Sequence, residues 1–202
     1  MMPVNDNDSR VKRTKKLIRK GLAELAKEKS INKITVKELT DLIEINRGTF
    51  YLHYKDIFDL VESIENSLYD EFNEIIKTVN PNTILETPID ILEKFCVFIS
   101  ENADAFVMLI GENGDANFVY KIGTVMNDAV FELFSSIYPE MDSERYSFTY
   151  EYCKYGSIGL IRCWIIENHD WTPRQVAELW LRLIARGVWG IMDKQSGGRE
   201  EN

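Results

Sequence analysis

Apolar residues recur along this chain at intervals of three and four, and alternation with a period of two is nowhere sustained, which predicts an all-α fold. A first helix is expected over about 9–29, capped by Ser9. Leu17, Ile18, Gly21, Leu22, Leu25 and Ala26 share one face of it and basic residues take the other. In Ile34-Thr35-Val36-Lys37-Glu38-Leu39, Thr35 and Glu38 have the spacing of a capping box, so a second helix starts at Val36 with Val36, Leu39 and Ile43 as its apolar face. Asn46 caps a third helix from Arg47 to near His53. A fourth covers about 56–78, with Phe58, Val61, Leu68, Phe72, Ile75 and Ile76 buried, and is broken by Asn80-Pro81-Asn82. Thr87-Pro88 opens a helix to about Ser100, followed by helices over 103–110 and 117–137. Asp142 caps a helix to about Glu167. Thr172-Pro173-Arg174-Gln175 forms a second capping box, for a helix to about Met192.

Two short helices joined by a tight turn, after a longer helix that supplies apolar support, have the arrangement of a helix-turn-helix unit. The predicted organisation is therefore a helix-turn-helix DNA-binding head over 1–57, a larger helical regulatory and dimerisation domain over 58–193, and a disordered tail over 194–202.

Charge sharpens this division. The chain of 202 residues has a net charge of −9, yet residues 1–57 hold 13 Lys/Arg against 8 Asp/Glu, while the remainder holds 11 against 25. A basic head on an acidic body suits a module that meets a polyanion while the rest stays off it. With 45% hydrophobic residues and no long apolar run, no membrane partner is expected. The N-terminus lacks the basic and apolar regions of a secretory signal, so the expected location is the cytoplasm.

The segment from Asn46 to Lys55 carries the most chemistry. Phe50 and Tyr54, four apart, share the inward face, leaving Arg47, Thr49, Tyr51, Leu52, His53 and Lys55 on the others. Arg47 has the fork that pairs with guanine N7 and O6, while Thr49, Tyr51 and Lys55 suit phosphates or a thymine methyl. Gly48 in a first helical turn costs about 1 kcal/mol relative to alanine, which fits a backbone that another surface must approach closely. Thr35, at a helix start, is both a cap and a phosphate candidate.

These residues resemble a known family, the TetR-type (tetracycline-repressor-like) bacterial regulators. The likeness rests on Ile34-Thr35-Val36-Lys37-Glu38-Leu39, on Arg47-Gly48-Thr49-Phe50-Tyr51, and on His53-Tyr54 leading into the fourth helix. It implies that Thr35, Arg47, Gly48, Thr49, Tyr51 and His53 lie at DNA-contacting positions, with Tyr51 and His53 on phosphates. Glu44 stands where the family often has glycine, and Ile57 where it often has a lysine whose place Lys55 would take. Leu109-Ile110-Gly111-Glu112-Asn113-Gly114-Asp115 and the Gly156-to-Trp164 helix followed by Thr172-Pro173 resemble the subgroup containing the regulator of dihydroxyacetone kinase operons, which looks to a protein coactivator.

A helix-turn-helix regulator usually pairs, because one recognition helix reads too few base pairs. Gly156, Ser157, Gly159, Cys163 and Gly187 allow close approach on the last two helices, so Gly156, Leu160, Trp164, Trp180, Leu183, Ile184 and Gly187 are the candidate homodimer interface. The resemblance implies a four-helix bundle there, the alternative being an intramolecular core. It also implies an inducer pocket, for which Phe95, Phe98, Met108, Phe118, Met126, Tyr152 and Trp164 are candidates. Aromatic and methionine side chains at helical spacing are also ordinary core.

No catalytic residue, metal site or cofactor is expected. His53 and His169 are the only histidines, neither follows a glutamate by three residues, and no Walker loop, G-x-S-x-G or H-E-x-x-H occurs. Glu112, Asn113 and Asp115 lack the register of a calcium loop. Cys96, Cys153 and Cys163 have no C-x-x-C spacing and are expected as small buried hydrophobes. The reading is a dimeric, sequence-specific TetR-type regulator, a repressor of a double-stranded DNA operator released by a small-molecule inducer. The alternative is an activator or repressor controlled by a partner protein docking on the C-terminal domain.

Overall fold

The structure, a computed structural model, describes residues 6–79, 88–111, 118–124, 127, 131, 142–167 and 169–186, with side chains from residue 9 onward. Expectations that fall elsewhere, among them the Asn80-Pro81-Asn82 break, the Thr87 cap, the Glu112–Asp115 loop, Met126, Gly187 and the tail 194–202, lie outside the described residues.

Among the described residues every regular element is helical, and the fold is all-α. Helix α1 spans Asp6–Glu28, a single 3-10 turn Ile31–Lys33, α2 Val36–Leu42, α3 Arg47–Tyr51, α4 Ile57–Lys77, α5 Pro88–Glu101 and α6 Ala103–Ile110. A helical stretch over 118–124 is α7. Then come α8, Ser143–Ile166, and α9, Pro173–Arg186. No helix of the described residues is long and apolar enough to cross a membrane.

The chain forms two compact units: Met1–Asp70 with Asn102–Tyr120, and Glu71–Glu101 with Lys121–Asn202. In the first, α1 packs on α2 and α6, and α2 on α3. Ile18, Leu22, Leu39, Phe50 and Leu60 are fully buried in it. Each buried aliphatic side chain of this size contributes about 1.5–3 kcal/mol. That burial holds α3 in place, since five residues are far too few for an isolated helix. Gly21 sets the approach of α1 to α2: a Cβ there would run into Ile43 Cγ2 and Leu39 Cδ1.

In the second unit α9 packs on α5 and on α8. Phe72 and Phe95 pack with their rings tilted at 4.8 Å between centroids, and Val176, Ala177 and Trp180 bury one face of α9. Arg174 ties α9 to α5 through Glu93 at 2.6 Å. Asp142 accepts from Arg145 N at the start of α8. The second capping box is complete, with Thr172 N donating to Gln175 Oε1 and Gln175 N to Thr172 Oγ1.

Several expected core positions face outward. Leu17 is 42% exposed, because the buried line of α1 runs through Ile18, Leu22 and Ala26, about 100° away around the helix. Phe58 is 62% exposed for the same reason: Ile57, Val61, Ile64 and Leu68 take the inward line of α4. The cysteines divide. Cys96 is buried, and burial, reinforced by Glu93, pushes its thiol up to about 12, as suits an inert core residue. Cys153 is half-buried and Cys163 is exposed, because that face of α8 has nothing packed over it among the described residues.

Candidate nucleic-acid interface

Helix α2, the first of the helix-turn-helix pair, begins at a complete capping box. Glu38 N donates to Thr35 Oγ1, while Thr35 N and its hydroxyl both donate to Glu38 Oε2 at 2.9 Å. Lys29 reaches Glu38 Oε1 at 2.5 Å, and this pair, with the bonds from Thr35, holds the Glu38 carboxyl down to about 2. At the other end of α2, Ile45 N donates to Thr40 O, and Glu44 lies between them at φ 55°. That is the left-handed position at which a Schellman closure ordinarily has glycine. Glu44 thus keeps the backbone path of the missing glycine and bears the strain of a side chain there, typically about 1 kcal/mol or more.

Asn46 Oδ1 accepts from Gly48 N at 2.8 Å and starts α3. Phe50 is fully buried, with its ring 5.8 Å from that of Tyr54, itself 4% exposed. This anchor fixes the rotation of the helix. Arg47, Gly48, Tyr51, Leu52 and Lys55 are exposed, whereas Thr49 and His53 are half-buried beside them. Tyr51 is 56% and Leu52 81% exposed. Ile57, where the family has lysine, is buried at 4%, so that position turns into the core. Lys55 lies two residues earlier and its backbone N donates to Asp59 Oδ2. Thr35 is exposed, but its hydroxyl hydrogen is committed to Glu38. Along α1, Arg10, Lys12, Arg13, Lys16 and Lys20 form an exposed basic face.

The residues suggested for an inducer pocket do not share one environment. Phe95 and Phe98 are core of the second unit. Met108 and Phe118 are core of the first, where Phe118 meets Phe106 edge-on at 6.0 Å. Tyr152 is 69% exposed on α8. Trp164 is buried and its indole N–H donates to Trp171 O at 3.0 Å. An open cleft of about 560 Å³ occurs elsewhere, in the first unit, lined by polar residues that include Arg19, Asp59, Glu62 and Asp70.

Among the candidate interface residues, Trp164 of α8 and Trp180 of α9 turn inward and are covered by their own chain, the latter donating to Ser157 Oγ at 2.8 Å. Leu160 and Leu183 are half-buried and Ile184 is exposed. Gly156 and Gly159 face open space. They lie in an exposed stripe with Phe148, Tyr152 and Tyr155, which are 61–72% exposed. Phe148 and Tyr155 were not among the residues picked from the sequence, although the spacing 148, 152, 155, 156, 159 follows one helix face.

A short recognition-type helix, anchored by one aromatic residue on a three-helix head in a chain that continues as further helices, defines the class of helix-turn-helix transcriptional regulators. The comparisons agree. Residues 86–186 match the TetR_C_8 family model, described as a transcriptional regulator C-terminal region. The chain belongs to the TetR-type family of transcriptional regulators, which are not enzymes. It is 34% identical over 47 residues to YxbF of Bacillus subtilis (strain 168), an HTH-type transcriptional regulator; this match covers 23% of the chain and 12% of that protein. Three solved structures share the fold at low identity. One is a TetR-family regulator from Bordetella parapertussis 12822, with 14% identity, 86% of this chain and 94% of that one covered, and TM-score 0.64. FadR of Bacillus subtilis, in complex with stearoyl-CoA, has 13% identity, coverage of 85% and 98%, and TM-score 0.62. The dihydroxyacetone kinase operon activator DhaS has 18% identity, coverage of 85% and 93%, and TM-score 0.51.

Proposed function

We propose that the protein is a homodimer that binds a double-stranded DNA operator through α3, with residues 1–57 as the reading head and 58–193 as the regulatory body, working in the cytoplasm. The observation that carries this is the rotation of α3 about Phe50, which leaves Arg47, Gly48, Tyr51 and Leu52 outward on a basic head. Arg47 is assigned to a guanine edge, Tyr51, His53 and Lys55 to phosphates, Leu52 to a thymine methyl, and Gly48 to close backbone approach. Thr35 is assigned a supporting place, since its hydroxyl serves the capping box. Pairing uses the exposed α8 stripe.

Selection of bound DNA from genomic fragments, followed by titration, tests the reading. Arg47→Ala should cost about 1–3 kcal/mol and relax the preference at one base pair. Tyr51→Phe should weaken all sequences alike. Affinity should fall as salt rises; salt-independent binding, or full affinity in Arg47→Ala/Tyr51→Ala, would refute it.

Control by a small-molecule ligand that releases a repressor is one form of regulation, and FadR with its stearoyl-CoA offers a parallel. The packing of Phe95, Phe98, Met108 and Phe118 as ordinary core favours a second form, in which a partner protein docks on the body. A small molecule retained through purification supports the first form; a stoichiometric protein partner supports the second.

A further inference from the structure

The turn that closes α8 brings together three side chains of metal-ligating type from a segment whose spacing, C-x-x-x-E-x-H, matches none of the motifs sought in the sequence. Cys163 and Glu167 are four apart and share a face at the last turn, where Glu167 N donates to Cys163 O. The backbone then folds back, and His169 N donates to Trp164 O at 3.3 Å. This reversal carries the imidazole to the helix end, where an extended chain would carry it away. Cys163 Sγ lies 3.5 Å from Glu167 Oε2, and His169 Nε2 lies 3.2 Å from the same oxygen. One ligand atom from each of the three falls within 4.8 Å of the others.

We propose that Cys163, Glu167 and His169 form a binding site for a thiophilic divalent cation of the zinc class. Bond lengths of about 2.3 Å to sulfur and about 2.1 Å to nitrogen and oxygen, at tetrahedral angles, place ligand atoms about 3.4–3.6 Å apart. The two measured edges are therefore already close to those of a filled site. A thiolate with an imidazole and a carboxylate selects zinc-type ions over magnesium or calcium, which take all-oxygen sets. Three protein ligands leave a fourth position for water or another donor. All three side chains are exposed, so an ion enters without opening the fold. The site lies in the second unit, while Arg47 and Tyr51 lie in the first; Cys163 shares the α8 face proposed for pairing, so metal binding is read out by the metal's own spectrum and not by operator affinity.

Metal-stripped, reduced full-length protein titrated with Co²⁺ and then Zn²⁺ tests the proposal. One Co²⁺ per chain should bind, with a sulfur-to-metal charge-transfer band that Zn²⁺ abolishes by displacement. Cys163→Ser should remove the band, and Cys153→Ser should leave it. His169→Ala or Glu167→Gln should weaken Zn²⁺ binding about tenfold or more, the size found even for outer-shell partners. Helical circular dichroism checks that each variant is folded. Absence of the band in the unmodified protein overturns the proposal whatever the variants do, and so does a band that survives Cys163→Ser.

Discussion

Gly48 illustrates how a residue can be explained by what is outside the chain. In the first turn of α3 it forgoes about 1 kcal/mol of helix propensity relative to alanine. The fold asks little for that loss: among the described residues an added Cβ would meet only Asn46 Oδ1, at 3.3 Å, and this capping oxygen would have to give by a few tenths of an ångström. Gly21 is the opposite case, where the neighbouring helix occupies the space a Cβ would need. Gly48→Ala is therefore expected to leave thermal stability unchanged or raise it by up to about 1 kcal/mol, while operator affinity falls because the methyl group holds the DNA backbone away. A melting curve and a binding titration on the same sample check both halves. Lost stability would return Gly48 to a structural role, and unchanged affinity would remove it from the interface.

At the scale of elements, most helix starts were legible because a cap is a local device; Ser9 is the exception, since α1 already runs from Asp6 and Ser9 lies inside it where a cap was expected. Thr35 with Glu38, Asn46, Asp142, and Thr172 with Gln175 all form the bonds that their spacing implies. Faces were harder to read, because periodicity defines a stripe without saying what covers it. Leu17 and Phe58 sit about 100° from the buried line, and Trp164 and Trp180 are covered by their own chain where a second subunit was expected to cover them. The cluster at Cys163 escaped notice because only a folded-back turn brings His169 to the other two. Two consequences belong to the head's elements. Alanine at Gly21 gains helix propensity of about 1 kcal/mol, but the clash with Ile43 and Leu39 costs about 1–3 kcal/mol. With atoms of two rigid side chains in the way, the clash is expected to win, so Gly21→Ala should lower the denaturation midpoint. The second concerns pH. Glu38 has a folded-state value of about 2, below its ordinary 4.5, so its charge stabilises the fold fully above pH 4.5, and that stabilisation is lost as pH falls from there toward 2. Glu38→Gln retains the capping acceptor and removes the charge. Melting temperatures of the two proteins should differ most at neutral pH and converge below pH 4.5. A difference that persists unchanged at pH 3 would mean that the pairing with Lys29 is not its source.

At the scale of the molecule, the head's size and the exposed surface of α8 bear on one question. A recognition helix with a handful of outward side chains reads too few base pairs to find one site in a genome, and a symmetric pair doubles the reading length. Among the described residues, the surface proposed for pairing is the α8 stripe. Phe148, Tyr152 and Tyr155 are exposed aromatic residues, of the kind enriched in interface cores. Next along the same face Gly156 and Gly159 present bare backbone, with no atom of the described residues within 4 Å of a Cβ built on either, so a second helix can approach closely. Because no atom of the described residues lies within 4 Å of a Cβ built on Gly156, a larger side chain there is expected to leave the folded subunit undisturbed. Gly156→Glu should thus retain its helicity and melting behaviour at low concentration while sedimenting as a monomer, where the unmodified chain is expected to sediment as a dimer. Operator affinity should drop about 100-fold or more, since the second head loses the effective concentration that tethering provides. A variant that still sediments as a dimer would place the pairing surface elsewhere, and a monomeric variant with full affinity would show that a single head suffices.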